Sequence, residues 1–268
     1  MNVLSLFDGM SCGQIALDQL GMKVDNYYAA EIDKYAIQIA KKNYPNTIHL
    51  GDVTSVYAQH LPKIDLLMGG SPCQGFSFAG KQLNFDDPRS ALFFEFVRLL
   101  KECKPKYFLL ENVRMSLQCQ DIITEHLGWV EPMRINSALV SAQNRQRLYW
   151  TNIPNLTQPD DRNILLSDIL EKDAREPMLS NIYGGFKEKK PRVHYGKSVT
   201  IRTAAGGGHI PSVTLKGGGI RKLTPTECEK LQTVPEGYTE SVSNTQRYRM
   251  IGNGWTVEVI KHILKEMI

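Results

Sequence analysis

The chain has 268 residues, 42% hydrophobic and 22% charged, the composition of an ordinary soluble globular protein, with enough length for one large domain or a large one and a small companion. A formal net charge of +4 and a pI near 8.7 permit a nucleic-acid partner without requiring one, so the placement of the charges has to carry that argument. Cys12, Cys73, Cys103, Cys119 and Cys228 are scattered, odd in number and without a C-x-x-C pair, which speaks against a zinc site or a disulfide framework; the N-terminus lacks the marks of a signal peptide, and no apolar run approaches a membrane span.

Val3 to Phe7 reads as a short strand that breaks at Asp8 to Gly13, after which Gln14 to Leu20 resumes with helical spacing. Strand, glycine turn and helix form the first unit of a nucleotide-binding sheet. Gly9 and Gly13 would let the backbone approach a ligand, although the spacing is not the dinucleotide fingerprint and no P-loop lysine follows. A second strand, Tyr27 to Ala30, ends at Glu31, placed to accept from ribose hydroxyls or, more plainly, to cap the helix through Tyr35 to Ala40. A third, Ile48 to Leu50, ends at Gly51-Asp52, a carboxylate that could accept from the exocyclic amine of adenine. Three such strand ends in succession point to an adenosine-containing cofactor.

The run Ile64 to Gly70 delivers Ser71-Pro72-Cys73-Gln74-Gly75, a small-residue turn at the rim of a parallel sheet. A lone cysteine is usually a small buried hydrophobe, but the flanking Pro and Gly expose the backbone and suit a nucleophile, with Gly75 to Gln82 as a loop after it. Asp87-Pro88-Arg89-Ser90 starts an amphipathic helix through Leu100, whose aromatics read as core. Tyr107 to Leu110 is a buried strand that ends in Glu111-Asn112-Val113, where a carboxylate could share a proton with a substrate ring nitrogen. Leu139 to Asn152 alternates as a strand does, and period two places Gln143, Arg145 and Arg147 on one face, able to bind a base carbonyl or phosphates.

Beyond Pro154 the composition changes. Asn155 to Asp161 reads as a polar linker, Ile164 to Leu170 as a short helix, and Pro177 to Ile220 as glycine-rich and irregular. In that last stretch Lys187, Lys189, Lys190, Arg192, Lys197, Arg202 and Lys216 face Glu188 as the one acid, interleaved with Tyr183, Phe186, His194, Tyr195 and two triple-glycine runs. Such a segment can follow a phosphate backbone while its loops reach base edges. Val257 to Ile268 reads as a closing amphipathic helix, and no internal repeat is present.

Taken together the chain resembles the cytosine-5 DNA methyltransferases. The motifs run in that family's order: Phe7-Asp8-Gly9 with Gly13, Glu31, Asp52, Pro72-Cys73-Gln74, Glu111-Asn112-Val113 and Gln143-x-Arg145-x-Arg147. Arg221-x-Leu223-Thr224-Pro225-x-Glu227-x-x-x-Leu231-Gln232-x-x-Pro235 and Gly252-Asn253-Gly254-Trp255-Thr256-Val257 complete the series. One departure is Ser11-Cys12-Gly13, where the family often has two adjacent glycines.

The resemblance implies an α/β, Rossmann-like fold with a mostly parallel sheet. It divides the chain into a catalytic and cofactor-binding domain at 1–153, a small irregular target-recognition domain at 154–244 and a segment at 245–268 that returns to the catalytic domain. It implies S-adenosylmethionine as cofactor, with S-adenosylhomocysteine as product, held by Phe7, Asp8, Gly9, Gly13, Glu31, Ile32, Asp52, Val53, Asn253 and Trp255. Cys73 would be the nucleophile, with Glu111, Arg147, Arg145, Gln143 and Pro72 as the other catalytic-site residues. Double-stranded DNA would meet Lys81, Gln82, Arg89, Lys187, Lys189, Lys190, Arg192, Arg202, Lys216 and Arg221, and the cytosine would leave the stack to react. No metal and no membrane are expected, and a compact monomeric chain fits a cytoplasmic bacterial or phage enzyme of the restriction-modification kind. An RNA cytosine-5 methyltransferase, such as one acting on tRNA, reuses the same motifs, and a silent DNA-binding relative would have lost some of them. An NAD-dependent dehydrogenase would need the dinucleotide fingerprint that is missing.

Overall fold

The computed structural model describes residues 1–71, 88–182, 190–203 and 210–268, with the side chains of 88–90 set aside. The chain forms two compact units, one of residues 1–135, 146–158 and 261–268 and the other of residues 136–145 and 159–260.

In the first unit β1 (Asn2–Leu6), β2 (Asn26–Ala30), β3 (Ile48–His49), β4 (Leu66–Gly70), β5 (Tyr107–Val113), β6 (Met133–Asn136) and β7 (Gln146–Thr151) form a sheet in the order β3-β2-β1-β4-β5-β7-β6. The pairs β1/β2, β1/β4, β2/β3 and β4/β5 are parallel, and β5/β7 is antiparallel. The strands are near-continuous apolar runs because helices cover them: α1 (Cys12–Gln19), α2 (Lys34–Asn43), α3 (Pro88–Cys103) and α4 (Leu117–His126) alternate with them along the chain. Leu4, Leu6, Leu67, Phe93, Phe96, Leu110 and Trp150 lie in one core cluster, each fully buried side chain contributing about 1.5–3 kcal/mol. Gly69 belongs to this packing, since a Cβ there would come within 2.9 Å of the Phe96 ring and 3.2 Å of the Leu6 carbonyl oxygen. The strand order reverses between β1 and β4, so the chain segments leaving those two strands flank the crevice where open α/β sheets bind ligands.

The second unit holds a four-stranded antiparallel sheet, β11-β10-β8-β9, made of β8 (Ala174–Ser180), β9 (Arg192–His194), β10 (Ser212–Leu215) and β11 (Ile220–Lys222). The segment read as irregular thus carries short strands in its described residues, each offering too few alternations to declare itself in the sequence. The helices α5 (Leu166–Ile169), α6 (Pro225–Leu231) and α7 (Asn244–Asn253) accompany the sheet, and α8 (Val257–Leu264) follows. A capping box at Thr224 and Glu227 with Pro225 in the first turn starts α6.

Candidate active site

The turn after β1 is tightly wound. Phe7, Gly9 and Ser11 all have positive φ, and a Cβ on Gly9 would meet nothing within 4 Å, so open space lies over the backbone there. Glu31, at the end of β2, braces this turn: Oε2 accepts from Gly9 N at 2.8 Å, and Oε1 accepts from the backbone N–H groups of Ile32 and Asp33, each at 2.8 Å. Four lone-pair sites and three donors leave Oε2 one acceptor position for a ligand hydroxyl. Beside it Ile32 is 74% exposed, an apolar side chain without a core to fill. The cap of α2 is Asp33, whose Oδ1 accepts from Tyr35 N and Ala36 N, which leaves Glu31 to the turn. Asp52 is exposed and accepts from Thr54 N and Thr54 Oγ1, both through Oδ1; these bonds lower its pKa, so the carboxylate is ionised at neutral pH. Val53 is buried behind it in the core.

Asp8 has a different setting. Its carboxylate accepts from Tyr27 Oη at 2.7 Å and from Ser11 Oγ. Burial pushes its pKa up to about 6, against the lowering effect of hydrogen bonds from Ser11, Ser5 and Tyr27 and with a smaller raising effect from the charge on Glu31. The sequence reading passed over Tyr27 as a strand residue. Tyr27 lies on β2, directly beside β1, and a buried tyrosine whose hydroxyl needs a partner is the signal the sequence holds.

On the other side of the crevice β4 ends next to β5, with Gly70 opposite Glu111, and Asn112 Nδ2 donates to Ser71 Oγ at 3.2 Å. Pro72 and Cys73 follow Ser71 directly but lie outside the described residues, as do Lys81, Gln82, Lys187 and Lys189. Glu111 is buried, and Arg147 Nε donates to its Oε1 at 2.9 Å. The pair is diagonal across the antiparallel β5/β7 ladder, where Glu111 faces Tyr149 and Val113 faces Arg147, so register alone puts both side chains on one face.

Gln143 and Arg145 do not join that pair on a common strand face. β7 begins at Gln146, and the two residues before it belong to the second unit. Arg145, 3% exposed, donates to the carbonyls of Ile201 at 3.0 Å, Gly252 at 3.3 Å and Gly254 at 2.9 Å. Gln143 is fully buried; its Nε2 donates to Leu231 O and Gln232 Oε1, and its Oε1 accepts from Ile201 N. Gln232 in turn donates to Ile251 O and Gly254 O and accepts from Thr256 Oγ1. Buried amides and a buried guanidinium need acceptors, and these bonds tie together three motifs that are far apart in sequence. Gly252 closes against Arg202, whose carbonyl carbon would be 2.4 Å from a Cβ there. Asn253 is exposed, its Oδ1 accepting from Thr203 Oγ1 at 2.6 Å, and Trp255 is half-buried.

Among the basic residues expected at DNA, Lys190, Arg192, Arg202 and Lys216 are exposed, whereas the side chain of Arg89 lies outside the described set. Arg221 is not available to a phosphate. Its five N–H groups are all taken, by Asp173 (Nε and Nη2), Glu227 (Nη1 and Nη2) and the Lys222 carbonyl, and these partners raise its pKa further. It holds the start of α6 to the sheet. Lys197 is likewise committed, its ammonium donating to the carbonyls of Ala138, Ser141 and Ile164. Among the described residues no cluster of His, Cys, Asp and Glu could hold a metal ion, and no helix is long and apolar enough to cross a membrane.

A mostly parallel seven-stranded sheet with flanking helices defines a Rossmann-like methyltransferase fold, and Entamoeba histolytica methyltransferase EhMeth shares it, with a TM-score of 0.75 at 16% identity over 100% of this chain and 97% of that one. The sequence profile of the C-5 cytosine-specific DNA methylases matches residues 1–190 and 167–268. Type II methyltransferase M1.ScrFI of Lactococcus lactis subsp. cremoris is 32% identical over 305 residues, 99% of this chain and 77% of that protein. Type II methyltransferase M.NlaX of Neisseria lactamica is 30% identical over 301 residues, 99% of this chain and 95% of that protein. The chain belongs to the C-5 cytosine-specific DNA methylase family. It is an enzyme of the DNA cytosine-5 methyltransferase class, for which S-adenosylmethionine is the implied methyl donor.

Proposed function

We propose that the protein methylates carbon 5 of a cytosine flipped out of duplex DNA, at a short recognition sequence, through a transient bond to Cys73. The observation that carries the reading is the Glu111–Arg147 pair, 2.9 Å apart at the strand end beside Ser71, two residues before Cys73. Carbon 5 of cytosine is a poor nucleophile. Addition of the Cys73 thiolate to ring carbon 6, with Glu111 hydrogen-bonded to the protonated ring nitrogen 3, pushes electrons toward carbon 5. Arg147 holds the carboxyl of Glu111 and can reach the base carbonyl oxygen with donors not spent on Glu111. After methyl transfer a base removes the carbon 5 proton and the Cys73 sulfur leaves. Pro72 shapes the turn. Gln143 and Arg145 are spent on bonds within the second unit, so their part is structural.

The residues at the glycine turn fit S-adenosylmethionine, which when bound supplies an electrophilic methyl group. Glu31 keeps an acceptor position for a ribose hydroxyl, Asp52 one carboxylate oxygen for an amine, and Ile32 an exposed apolar face for adenine. Phe7, Asp8, Gly9 and Gly13 would line the turn, with Val53 behind Asp52 and with Asn253 and Trp255 contributed by the C-terminal segment. Residues 154–244 would recognise the target with Lys187, Lys189, Lys190, Arg192, Arg202 and Lys216 but not Arg221, and Lys81, Gln82 and Arg89 of the catalytic domain would also meet the DNA. The test is expression of the protein and its Cys73→Ala variant in a methylation-deficient bacterium, followed by bisulfite sequencing of the plasmid. Methylated cytosines in one short context, present only with Cys73 intact, are the expected result. An unmethylated plasmid from soluble protein that binds S-adenosylmethionine sinks the DNA reading and turns the search to RNA.

A further inference from the structure

The first motif departs from the family pattern at Ser11-Cys12, and the structure gives that departure a purpose. Ser11 sits in the left-handed region at φ 64, a conformation that glycine adopts at no cost and serine at some. What offsets the strain is its hydroxyl, which donates to Asp8 Oδ2, while Tyr27 donates to Oδ1 from β2 at 2.7 Å. Gly13 leaves the room for this arrangement: a Cβ there would lie 3.3 Å from Tyr27 Oη and 2.7 Å from the Met68 methyl group. Both oxygens of one carboxylate are therefore engaged by hydroxyls from two different segments, beneath a turn whose backbone is open to a ligand.

We propose that Tyr27 and Ser11 are positioning residues that hold the Asp8 carboxylate beneath the glycine turn, where its negative charge favours the cationic cofactor. The inference rests on the assignment of that turn to S-adenosylmethionine and deepens it. The cofactor carries an ammonium and a sulfonium, so it binds better to the turn with Asp8 ionised than with Asp8 protonated. The groups that face Asp8 are Ser5 of β1, Ser11 of the turn, Tyr27 of β2 and the charge on Glu31. In the free protein Asp8 titrates near pH 6. Binding is thus linked to loss of a proton below that pH, and affinity falls as the medium is acidified through it.

The experiment is titration calorimetry of the intact protein with S-adenosylmethionine between pH 5.5 and 7.5, in two buffers of different ionisation enthalpy. In the wild type the Kd should be flat at the upper end and rise below pH 6 toward a limit of about tenfold per pH unit, with protons released on binding. Tyr27→Phe and Ser11→Gly each remove a donor that stabilises the charged carboxylate, so the acid limb should move upward by roughly half a pH unit. Ser11→Gly also relieves the positive φ, so it keeps the fold in hand if Tyr27→Phe proves unstable. Asp8→Asn should abolish the limb and the proton release and weaken binding at pH 7.5. The inference fails if Asp8→Asn keeps the wild-type limb, or if the limb stays in place in both Tyr27→Phe and Ser11→Gly. Wild-type protein that binds no S-adenosylmethionine at any pH would instead overturn the cofactor assignment itself.

Discussion

Arg145 and Arg147 stand two residues apart in one motif and do opposite work in different units. Arg145 is buried among carbonyls, bonding Ile201, Gly252 and Gly254, so its charge serves to join chain segments. Arg147 lies on a strand end and meets a carboxylate, Glu111, whose protonation the proposed chemistry uses. The difference lies in the acceptor. A carbonyl fixes a guanidinium through a dipole, whereas a carboxylate meets it with a full opposite charge. Arg147 thus meets a group that can carry charge, whereas Arg145 is spent on the backbone of its own unit.

The sharpest way to break the comparison is at Glu111. Glu111→Gln keeps an oxygen for Arg147 Nε but cannot share a proton with the base, so kcat should fall by about 10²–10⁴-fold in a tritiated-methyl transfer assay while the protein still unfolds cooperatively. A loss under tenfold would remove Glu111 from the chemistry. Next in size is the stability contrast between the arginines. Arg145→Ala strands the buried carbonyls of Ile201, Gly252 and Gly254 and should cost about 3–5 kcal/mol in urea unfolding. Arg147→Ala should cost about 1–2 kcal/mol, because Arg147 bonds one carboxylate oxygen of Glu111 and the neighbouring Gln146 carbonyl rather than a set of buried carbonyls, and its main effect should be on kcat. If Arg147→Ala is the more damaging to the fold, the division of labour is wrong. Smaller again is Gly252→Ala, which sets a Cβ 2.4 Å from the Arg202 carbonyl carbon and should cost about 1–3 kcal/mol in the same assay.

Much of the first unit was legible because its logic is local. A run of apolar residues that stops at an acid or a glycine marks the end region of a strand: Glu31 follows β2 directly, Asp52 stands three residues past β3, and Glu111 lies two residues before the end of β5. The second unit resisted reading because its partners are remote. Arg145 bonds a carbonyl 107 residues away, and no periodicity encodes that; alternation alone made a strand of a stretch whose polar side chains point into a buried hub. Arg221 misled for a related reason, since the carboxylates that consume it come from Asp173 and Glu227, on separate elements. The strands β8 to β11 are three to seven residues long and separated by glycine-rich segments, so their pairing is visible only in the fold.

The smallest expected effect puts the two units' use of polar groups on one scale. In the second unit a polar group contributes to stability, so its removal destabilises; Asp8, in the first, should behave in the reverse sense. Its pKa is raised from 3.8 to about 6, so the folded state binds its proton more tightly than the unfolded state does. Between those values the folded protein carries more protons, and stability declines as pH rises through about 6, leaving a cost that persists at neutral pH. Asp8→Asn keeps the shape and discards the charge. The ligand-free variant should therefore be more stable than wild type at pH 7.5 by about 1 kcal/mol, well below the limit set by the full shift because the amide accepts the hydroxyls of Ser11 and Tyr27 less well. Near pH 4 the advantage should vanish, as the wild-type carboxyl is then neutral too. Thermal unfolding of both proteins across that range measures it, and an Asp8→Asn variant that is less stable at pH 7.5 would make Asp8 a structural strut like Arg145 rather than a charge held in tension for a ligand.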